Sequence, residues 1–407
     1  MSHIYKKAAK RWAAALLAIA MPASAAGGAA PASMPPAAAG GAALASLMAA
    51  SIMPSAAAAY ADAAELPIDI FLNGMRLVSD VAPVVREDRT FVPVRVIGEA
   101  LGYAVGYDDG LVTLRHEGLG MDISMAVGDL VATINGRRVE LPVPAFIENG
   151  RTMAPVRFLS EALDSRVDWV PGYGALPDSV VIHCPYPVDA NGGKAQIATR
   201  VEERRWELAG GYNGTVEVYY DLCIPIFTIL SNEGLAHSLN ESISLIADPY
   251  RDEITAAYEV QLAVGPDERY DEYEEFSYRV AEDNGRVMSM IIEGYSYHGG
   301  AHGMPFWASY NIDFDKDAAL ELPDLFKGGV DFEAALFRQM GALRAASPEE
   351  YEDVDEPDYI DYSSFYFEGG DLILYYPPYD LSYYARGFVE FRIPRGRLAG
   401  ELLDEYL

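Results

Sequence analysis

At 407 residues, with 61 acidic side chains against 30 basic ones, the chain carries a formal charge of -31. So acidic a polymer repels phosphate backbones, which argues against a nucleic-acid partner and in favour of a cationic one. The length allows two or three domains, and the two cysteines and six histidines show no zinc-type spacing.

The N-terminus reads as an export signal. Lys6, Lys7, Lys10 and Arg11 precede an apolar core at residues 12–21, and Ala23-Ser24-Ala25 fits a small-x-small cleavage site. Ala59-Tyr60-Ala61 is a second candidate, and an uncleaved anchor stays open as an alternative. Residues 1–61 form an uncharged Ala/Gly/Pro/Ser-rich leader after Arg11, too simple to build a core. Pro22, Gly27, Gly28 and Pro54 interrupt its apolar runs, against the ~20 continuous residues a spanning helix needs. The mature protein is expected to be secreted or extracytoplasmic and envelope-associated, with no integral membrane domain after cleavage.

Residues 66–185 contain a duplication. Asn73-Gly74 recurs as Asn135-Gly136, and Arg89-Thr90-Phe91-Val92-Pro93-Val94-Arg95 recurs as Arg151-Thr152-Met153-Ala154-Pro155-Val156-Arg157. Glu99-Ala100-Leu101 recurs as Glu161-Ala162-Leu163, and every motif keeps an offset of 62, as a copied structural unit does. Asn-Gly between β-rich runs predicts a two-residue hairpin turn with both φ positive. Strands at 81–85 and 143–147 follow, then short helices opening at Pro93 and Pro155, where a missing N–H costs nothing. Gly102 stops the first helix, and closing strands are expected at 103–107, 111–115 and 179–184. Arg95 with Glu99, and Arg157 with Glu161, stand at i,i+4. A structural pair on a helix face is the expected reading of these repeated residues, with ligand binding as the alternative.

These repeated motifs, followed by Val105 to Tyr107 and Val167 to Trp169, resemble the stalk domain, also called the copper amine oxidase N-terminal-like domain. The resemblance implies a non-catalytic spacer or adhesion module of exported envelope proteins. It does not imply copper chemistry, whose catalytic domain nothing here matches.

Residues 186–196 are Pro/Gly/Asp/Asn-rich and read as a linker. A long strand is predicted at 215–229. Residues 232–247 follow with helical spacing of Leu235, Leu239, Ile243 and Ile246, and a further helix past Arg251. Strands at 275–281 and 286–297 flank Asn284-Gly285, a hairpin signal. After His298-Gly299-Gly300-Ala301-His302-Gly303 come a strand at 307–314, a turn and short helix at 322–332, an amphipathic helix at 332–345 and an acidic loop at 349–361. Strands at 365–367, 372–376 and 388–393 close the chain. The fold class is α+β: a duplicated small strand-rich stalk unit with short helices, then an α+β module with antiparallel sheet and packed helices.

The second half also carries a resemblance. Gly299-Gly300-Ala301-His302-Gly303, Tyr310-Asn311-Ile312-Asp313, Leu322-Pro323-Asp324-Leu325-Phe326, Tyr379-Asp380-Leu381 and Tyr384-Ala385-Arg386-Gly387 lie along residues 197–398. They are similar to the extracytoplasmic module of lysozyme-sensing anti-sigma factors, found also ahead of peptidoglycan deacetylase domains. Its first part spans 197–298 and its second 299–398. Tyr383, where the family favours proline, and a long acidic insertion at 349–358 depart from the pattern. The relatives' sigma-binding segment and deacetylase domain are not expected here.

The loop at 298–303 invites a metal reading, because His298 and His302 are four residues apart. Gly299 and Gly300 make a helix there costly, at ~1 kcal/mol each, and no third ligand is signalled. A structural hinge, with His302 hydrogen-bonded to hold it, is the expectation. Asp313, Asp315 and Asp317 imitate a calcium loop, but Ala318 stands where its glycine belongs, and a solvated hairpin turn is expected. No Gly-x-Ser-x-Gly, His-Glu-x-x-His or phosphate loop occurs.

The sequence therefore predicts a non-catalytic exported envelope protein without a cofactor or metal. Its stalk would present an acidic module to a lysozyme-like cationic hydrolase or to peptidoglycan. The acidic segments 267–275 and 349–361 support a cationic partner, and His298, His302, Tyr379, Tyr383, Tyr384 and Arg386 are the expected contact residues. The alternatives are a hydrolase or deacetylase accessory with a cryptic metal site near His298 and His302, and a purely structural adhesion component. Cys184 and Cys223 read as buried thiols or as a disulfide.

Overall fold

Residues 68–171, 177–229 and 231–407 are described by the computed structural model. The leader at 1–61 lies outside them. The described residues form two units, divided between Val201 and Glu202.

The first unit contains the duplication. Its first copy supplies β1 (Asp69–Leu72), β2 (Met75–Leu77), β3 (Val84–Arg86), β4 (Arg89–Pro93), helix α1 (Val94–Ala100), β5 (Ala104–Asp108), β6 (Leu111–His116) and β7 (Met121–Ala126). The second supplies β8 (Val131–Ile134), β9 (Arg137–Glu140), β10 (Phe146–Glu148), β11 (Arg151–Pro155), α2 (Val156–Ala162), β12 (Arg166–Val170) and β13 (Ser179–His183). β14 (Val188–Ala190) follows in the segment read as a linker, and β15 (Ala195–Ala209) runs through the unit boundary. The offset of 62 holds from β1 and β8 to β5 and β12. It then grows, because β6 starts at residue 111 and β13 at 179.

The copies are interleaved. The opening hairpin β1–β2 joins the second copy's closing strands in the order β12-β13-β1-β2, while β8–β9 completes the first copy's sheet, β5-β6-β7-β8-β9. Between them β4 pairs antiparallel with β11, and Val92 faces Ala154, its own repeat equivalent. A pseudo-twofold axis therefore passes between these two residues. The alternation of β1 turns Ile70 and Leu72 inward, and both belong to one core with Val92, Ile97, Leu114, Ala154, Phe158 and Ile182.

Both Asn-Gly pairs make the expected turns, with φ of 45 and 73° at Asn73 and Gly74, and 49 and 79° at Asn135 and Gly136. Their environments differ. Asn73 is fully buried; its amide donates to the carbonyls of Cys184 and Ile197, both at 3.0 Å, and its Oδ1 accepts from Cys184 N at 2.7 Å and Thr199 Oγ1 at 2.8 Å. Asn135 is exposed, and its Oδ1 accepts from Asp122 N at 2.8 Å. Arg95 and Glu99 form the expected pair at 3.0 Å, well exposed, where such a pair contributes little. The side chain of Glu161 lies outside the described residues. Cys184 and Cys223 are both buried, and burial pushes the Cys184 thiol up.

The second unit is built on a sheet ordered β15-β16-β17-β18-β19-β20, with β16 (Thr215–Ile229), β17 (Glu272–Asp283), β18 (Val287–Tyr297), β19 (Met304–Asp313) and β20 (Ala318–Ala319). β16 and β17 pair in parallel, so a crossover must join them. That crossover is α3 (Glu233–Ala263), capped by Asn232, whose side chain accepts from Leu235 N at 3.0 Å. The helix continues through Pro249, uniting the helical spacing at 232–247 with the helix expected past Arg251. Leu239, Ile243, Ala247 and Ile254 are all fully buried, and α3 packs on β16 and β17. Burying four such side chains contributes several kcal/mol, more than the roughly 3 kcal/mol of an interior proline.

The opposite face is covered at one end by the sheet β21-β22-β23, made of β21 (Phe365–Glu368), β22 (Asp371–Tyr376) and β23 (Val389–Pro394). Ile291 and Trp307 pack there against Tyr366, Ile373 and Tyr375. Helix α4 (Phe332–Ala346), started by Asp331, buries Leu336 and Met340 in a second core with Phe365, Phe367, Phe391 and Tyr406. A polar network is enclosed between the two sheets. Arg279 donates to Glu293 at 3.1 Å and Glu368 at 2.9 Å, Arg392 donates to Glu368 at 2.5 Å, and Tyr366 donates to Glu390. Three carboxylates here share two guanidinium groups.

Asp313, at the end of β19, and the aspartates after it form a turn as expected, but Asp313 is buried rather than solvated. It accepts from the backbone of Asp315 and Lys316 at 2.9 and 3.1 Å, and binds Arg286 and Tyr406, each at 2.9 Å. Those hydrogen bonds hold its carboxyl below the usual range despite burial.

Candidate functional site

Residues 298–303 connect β18 to β19, which pair antiparallel from Ser296↔Met304 onward. The segment is therefore a hairpin loop within one sheet, not a hinge between two parts of the module. Its glycines fit it. A Cβ on Gly303 would lie 2.5 Å from the Ser296 carbonyl oxygen and from the Tyr295 ring, and Gly299 has φ of +79°. The two histidines, though close in sequence, join different clusters.

His302 joins an aromatic group. Its Nδ1 lies 2.9 Å from the Gly303 carbonyl and its Nε2 3.0 Å from the Tyr379 hydroxyl. The carbonyl can only accept, so Nδ1 carries the proton and Nε2 accepts in the neutral ring. His302 stacks on Tyr384 with ring centroids 3.5 Å apart, and Tyr379 lies 5.7 Å from Tyr384. Strand alternation extends the group: Tyr219 stacks on Tyr273 at 5.0 Å, Tyr273 on Tyr295 at 6.0 Å, and Tyr219 donates to Glu275 at 3.0 Å. Six rings on four chain segments thus form a half-buried strip on the face opposite α3.

His298 lies with the carboxylates of β17. Its Nδ1 is 2.9 Å from Glu272 Oε2 and its Nε2 2.7 Å from Glu274 Oε1. The far oxygens are held too, Glu272 by Gln261 Nε2 at 2.6 Å and Glu274 by Ser296 Oγ at 2.5 Å. Glu272 is 4% and Glu274 1% exposed. Burial opposes a charged imidazole, but the hydrogen bonds to Glu272 and Glu274 outweigh it and raise His298 to about 10. Burial pushes Glu274 up, with His298 pulling against it.

A third feature is an open groove of about 510 Å³ beside α4, lined by Glu333, Phe337 and residues 358–362. Tyr362 donates to Glu333, and Tyr359 donates to Asp380. Three carboxylates, Glu333, Asp358 and Asp361, line it together with the rings of Phe337, Tyr359 and Tyr362, and among the described residues no basic one does.

Of the expected contact residues, His302, Tyr379 and Tyr384 come together. His298 stands apart from them among carboxylates. Tyr383 is 58% exposed, and Arg386 is committed to the loop, donating to Asp353 at 2.7 Å and to the Glu350 carbonyl. The segment 267–275 is not uniformly an acidic surface, because Glu272 and Glu274 point into the protein. Glu272 and Glu274 belong to the segment expected to be an acidic surface. Their signal was parity: Glu272 and Glu274 are in step with Phe276 and Tyr278, and all four are buried.

Residues 71–176 match the family model of the copper amine oxidase N-terminal domain. Residues 213–305 match that of the deacetylase PdaC, and residues 323–396 that of a protein family of unknown function, DUF3298. A DUF3298 family member from Bacteroides fragilis is 20% identical, with a TM-score of 0.35 over 51% of this chain and 94% of that one. A DUF3298 family protein from Pseudomonas aeruginosa is 18% identical, with a TM-score of 0.37 over 52% of this chain and 95% of that one. No curated protein matches. In chain order, the protein joins a segment matching the copper amine oxidase N-terminal domain to a PdaC-like and DUF3298-like module, the arrangement its repeated and C-terminal motifs predict.

Proposed function

We propose that this is an exported, non-catalytic binding protein of the cell envelope, whose C-terminal module captures a cationic, lysozyme-like hydrolase. The observation that carries this reading is the groove beside α4. Its carboxylates Glu333, Asp358 and Asp361 attract a lysine or arginine, and its aromatic rings add cation–π stabilisation of about 0.5–2 kcal/mol. The surrounding chain adds long-range attraction through its charge of -31.

The test is binding of the full chain to lysozyme at low and at physiological ionic strength. Binding is expected to weaken steeply with salt. The triple change Glu333→Gln, Asp358→Asn, Asp361→Asn should weaken it at least tenfold. Undetectable binding at low salt refutes the reading.

The tyrosine strip favours a second reading, peptidoglycan itself, because rings with polar edges stack on sugar faces. Pull-down by isolated cell walls, lost on Tyr273→Ala but unaffected by the groove variant, would select it.

A further inference from the structure

The geometry points to a divalent transition-metal site formed by Glu253 of α3, Glu274 of β17 and His298, the first residue of the loop after β18. One ligand atom from each lies within 4.8 Å of the other two. The three residues come from three segments of one packed layer, α3 on the sheet, which fixes their spacing as a metal site requires. His302, which the alternative metal reading pairs with His298, is held instead by the Gly303 carbonyl and Tyr379.

The surroundings are those of a metal ligand set. A ligating histidine commonly gives its other ring N–H to a carboxylate, which fixes the tautomer and aims the free nitrogen. Glu272 stands in that position, its Oε2 2.9 Å from Nδ1. With Nδ1–H given to Glu272, metal binding requires Nε2 to give up its 2.7 Å hydrogen bond to Glu274 Oε1, so that the ion takes the place of the shared proton between them. The remaining oxygens are anchored from behind, Glu274 Oε2 by Ser296 at 2.5 Å and Glu272 Oε1 by Gln261 at 2.6 Å. Both near oxygens are thereby turned towards the imidazole.

Charge supports a cation. With all three carboxylates ionised, Glu253, Glu272 and Glu274 bring -3 to one imidazole, and Glu272 and Glu274 are at most 4% exposed. A divalent ion beside a neutral His298 reduces this to -1, and Glu253, which is exposed, gives it a way in. Two carboxylates and one imidazole suit zinc, manganese or ferrous iron. Three protein ligands leave at least one coordination position to water or to an oxygen donor from outside.

The experiment is a Zn²⁺ titration of the tag-free, chelator-stripped full chain by calorimetry, with bound metal counted after dialysis. One equivalent is expected. Glu253→Gln, an exposed change that leaves the core untouched, should lower affinity at least tenfold with an unchanged circular dichroism spectrum. Glu272→Gln, which removes only the orienting carboxylate, should lower it about 10- to 100-fold. His302→Ala should bind as the parent does. The proposal is overturned by the absence of saturable binding, or by Glu253→Gln and Glu272→Gln both binding as the parent. Either result leaves the groove beside α4 unaffected, so the two proposals stand or fall separately.

Discussion

Glu293 should make the second unit less stable as the pH rises towards neutrality. The residue is enclosed between the two sheets with Arg279, and burial, opposed by Arg279 but aided by Glu368 and Glu390, raises its pKa from 4.5 to about 7. The folded state therefore holds this proton more tightly than the unfolded chain does. The stabilisation is fully present below pH 4.5 and is lost as the pH rises through about 7. A difference of that size, at 1.36 kcal/mol per pKa unit, is worth about 3 kcal/mol. Glu293→Gln keeps the shape and the acceptor for Arg279 but cannot titrate. Urea unfolding followed by tryptophan fluorescence, with Trp307 packed beside the network, should be run for both proteins from pH 4.5 to 8. The parent's stability minus the variant's should fall by about 3 kcal/mol over that range, other titrations cancelling in the difference. Parallel profiles would show that Glu293 is ionised throughout and that the network does not share a proton.

Three further outcomes can be checked. Asn73→Ala strands the buried Cys184 N–H and two carbonyls and should cost about 2–4 kcal/mol in urea unfolding, whereas Asn135→Ala, at an exposed turn, should cost under about 1.5 kcal/mol; equal losses would deny Asn73 its special role. Gly303→Ala drives a methyl group into the Ser296 carbonyl and the Tyr295 ring, so a loss of about 1–3 kcal/mol is expected, measured as a lowered Tm, with no loss if the loop can shift freely. Ile254→Ala, beyond Pro249 in α3, removes a fully buried side chain packed on Val216 and Val218 and should cost about 2–5 kcal/mol; a value near zero would mean that the helix after the proline is not held by the sheet.

Where one physical signal dominates, the sequence is a good guide. The apolar run of β16 coincides with its predicted bounds, 215–229, and α4 and the three closing strands fall within two residues of expectation. The 62-residue offset located the interleaved sheets' strands but not their partners, because pairing between copies depends on tertiary closure that periodicity does not encode. The helical spacing at 232–247 and the helix expected past Arg251 are one helix, α3, held continuous through Pro249 by packing against β16 and β17. The cluster around His298 was missed because Glu272 and Glu274 look like solvated charges when residues 267–275 are taken as a block. Their parity with Phe276 places them on the covered face. His298 and His302 were treated as a pair because they are near in sequence, yet the glycine turn between them sends one to α3 and the other to Tyr384.

The exchange of opening hairpins in the first unit also bears on how such a duplication can arise and be cut. Neither copy contains all the strands of its own sheet, so a single copy would expose an unpaired edge at β4 and lack a partner for its closing strands. A second identical chain could supply both, placed around the axis where Val92 now meets Ala154. We therefore expect residues 68–126, expressed alone, to form a symmetric homodimer or to remain unfolded, and a folded monomer in sedimentation analysis would contradict this. On that view the duplicated chain is a dimer whose two subunits have been joined, and truncation midway through it removes strands from both outer sheets at once.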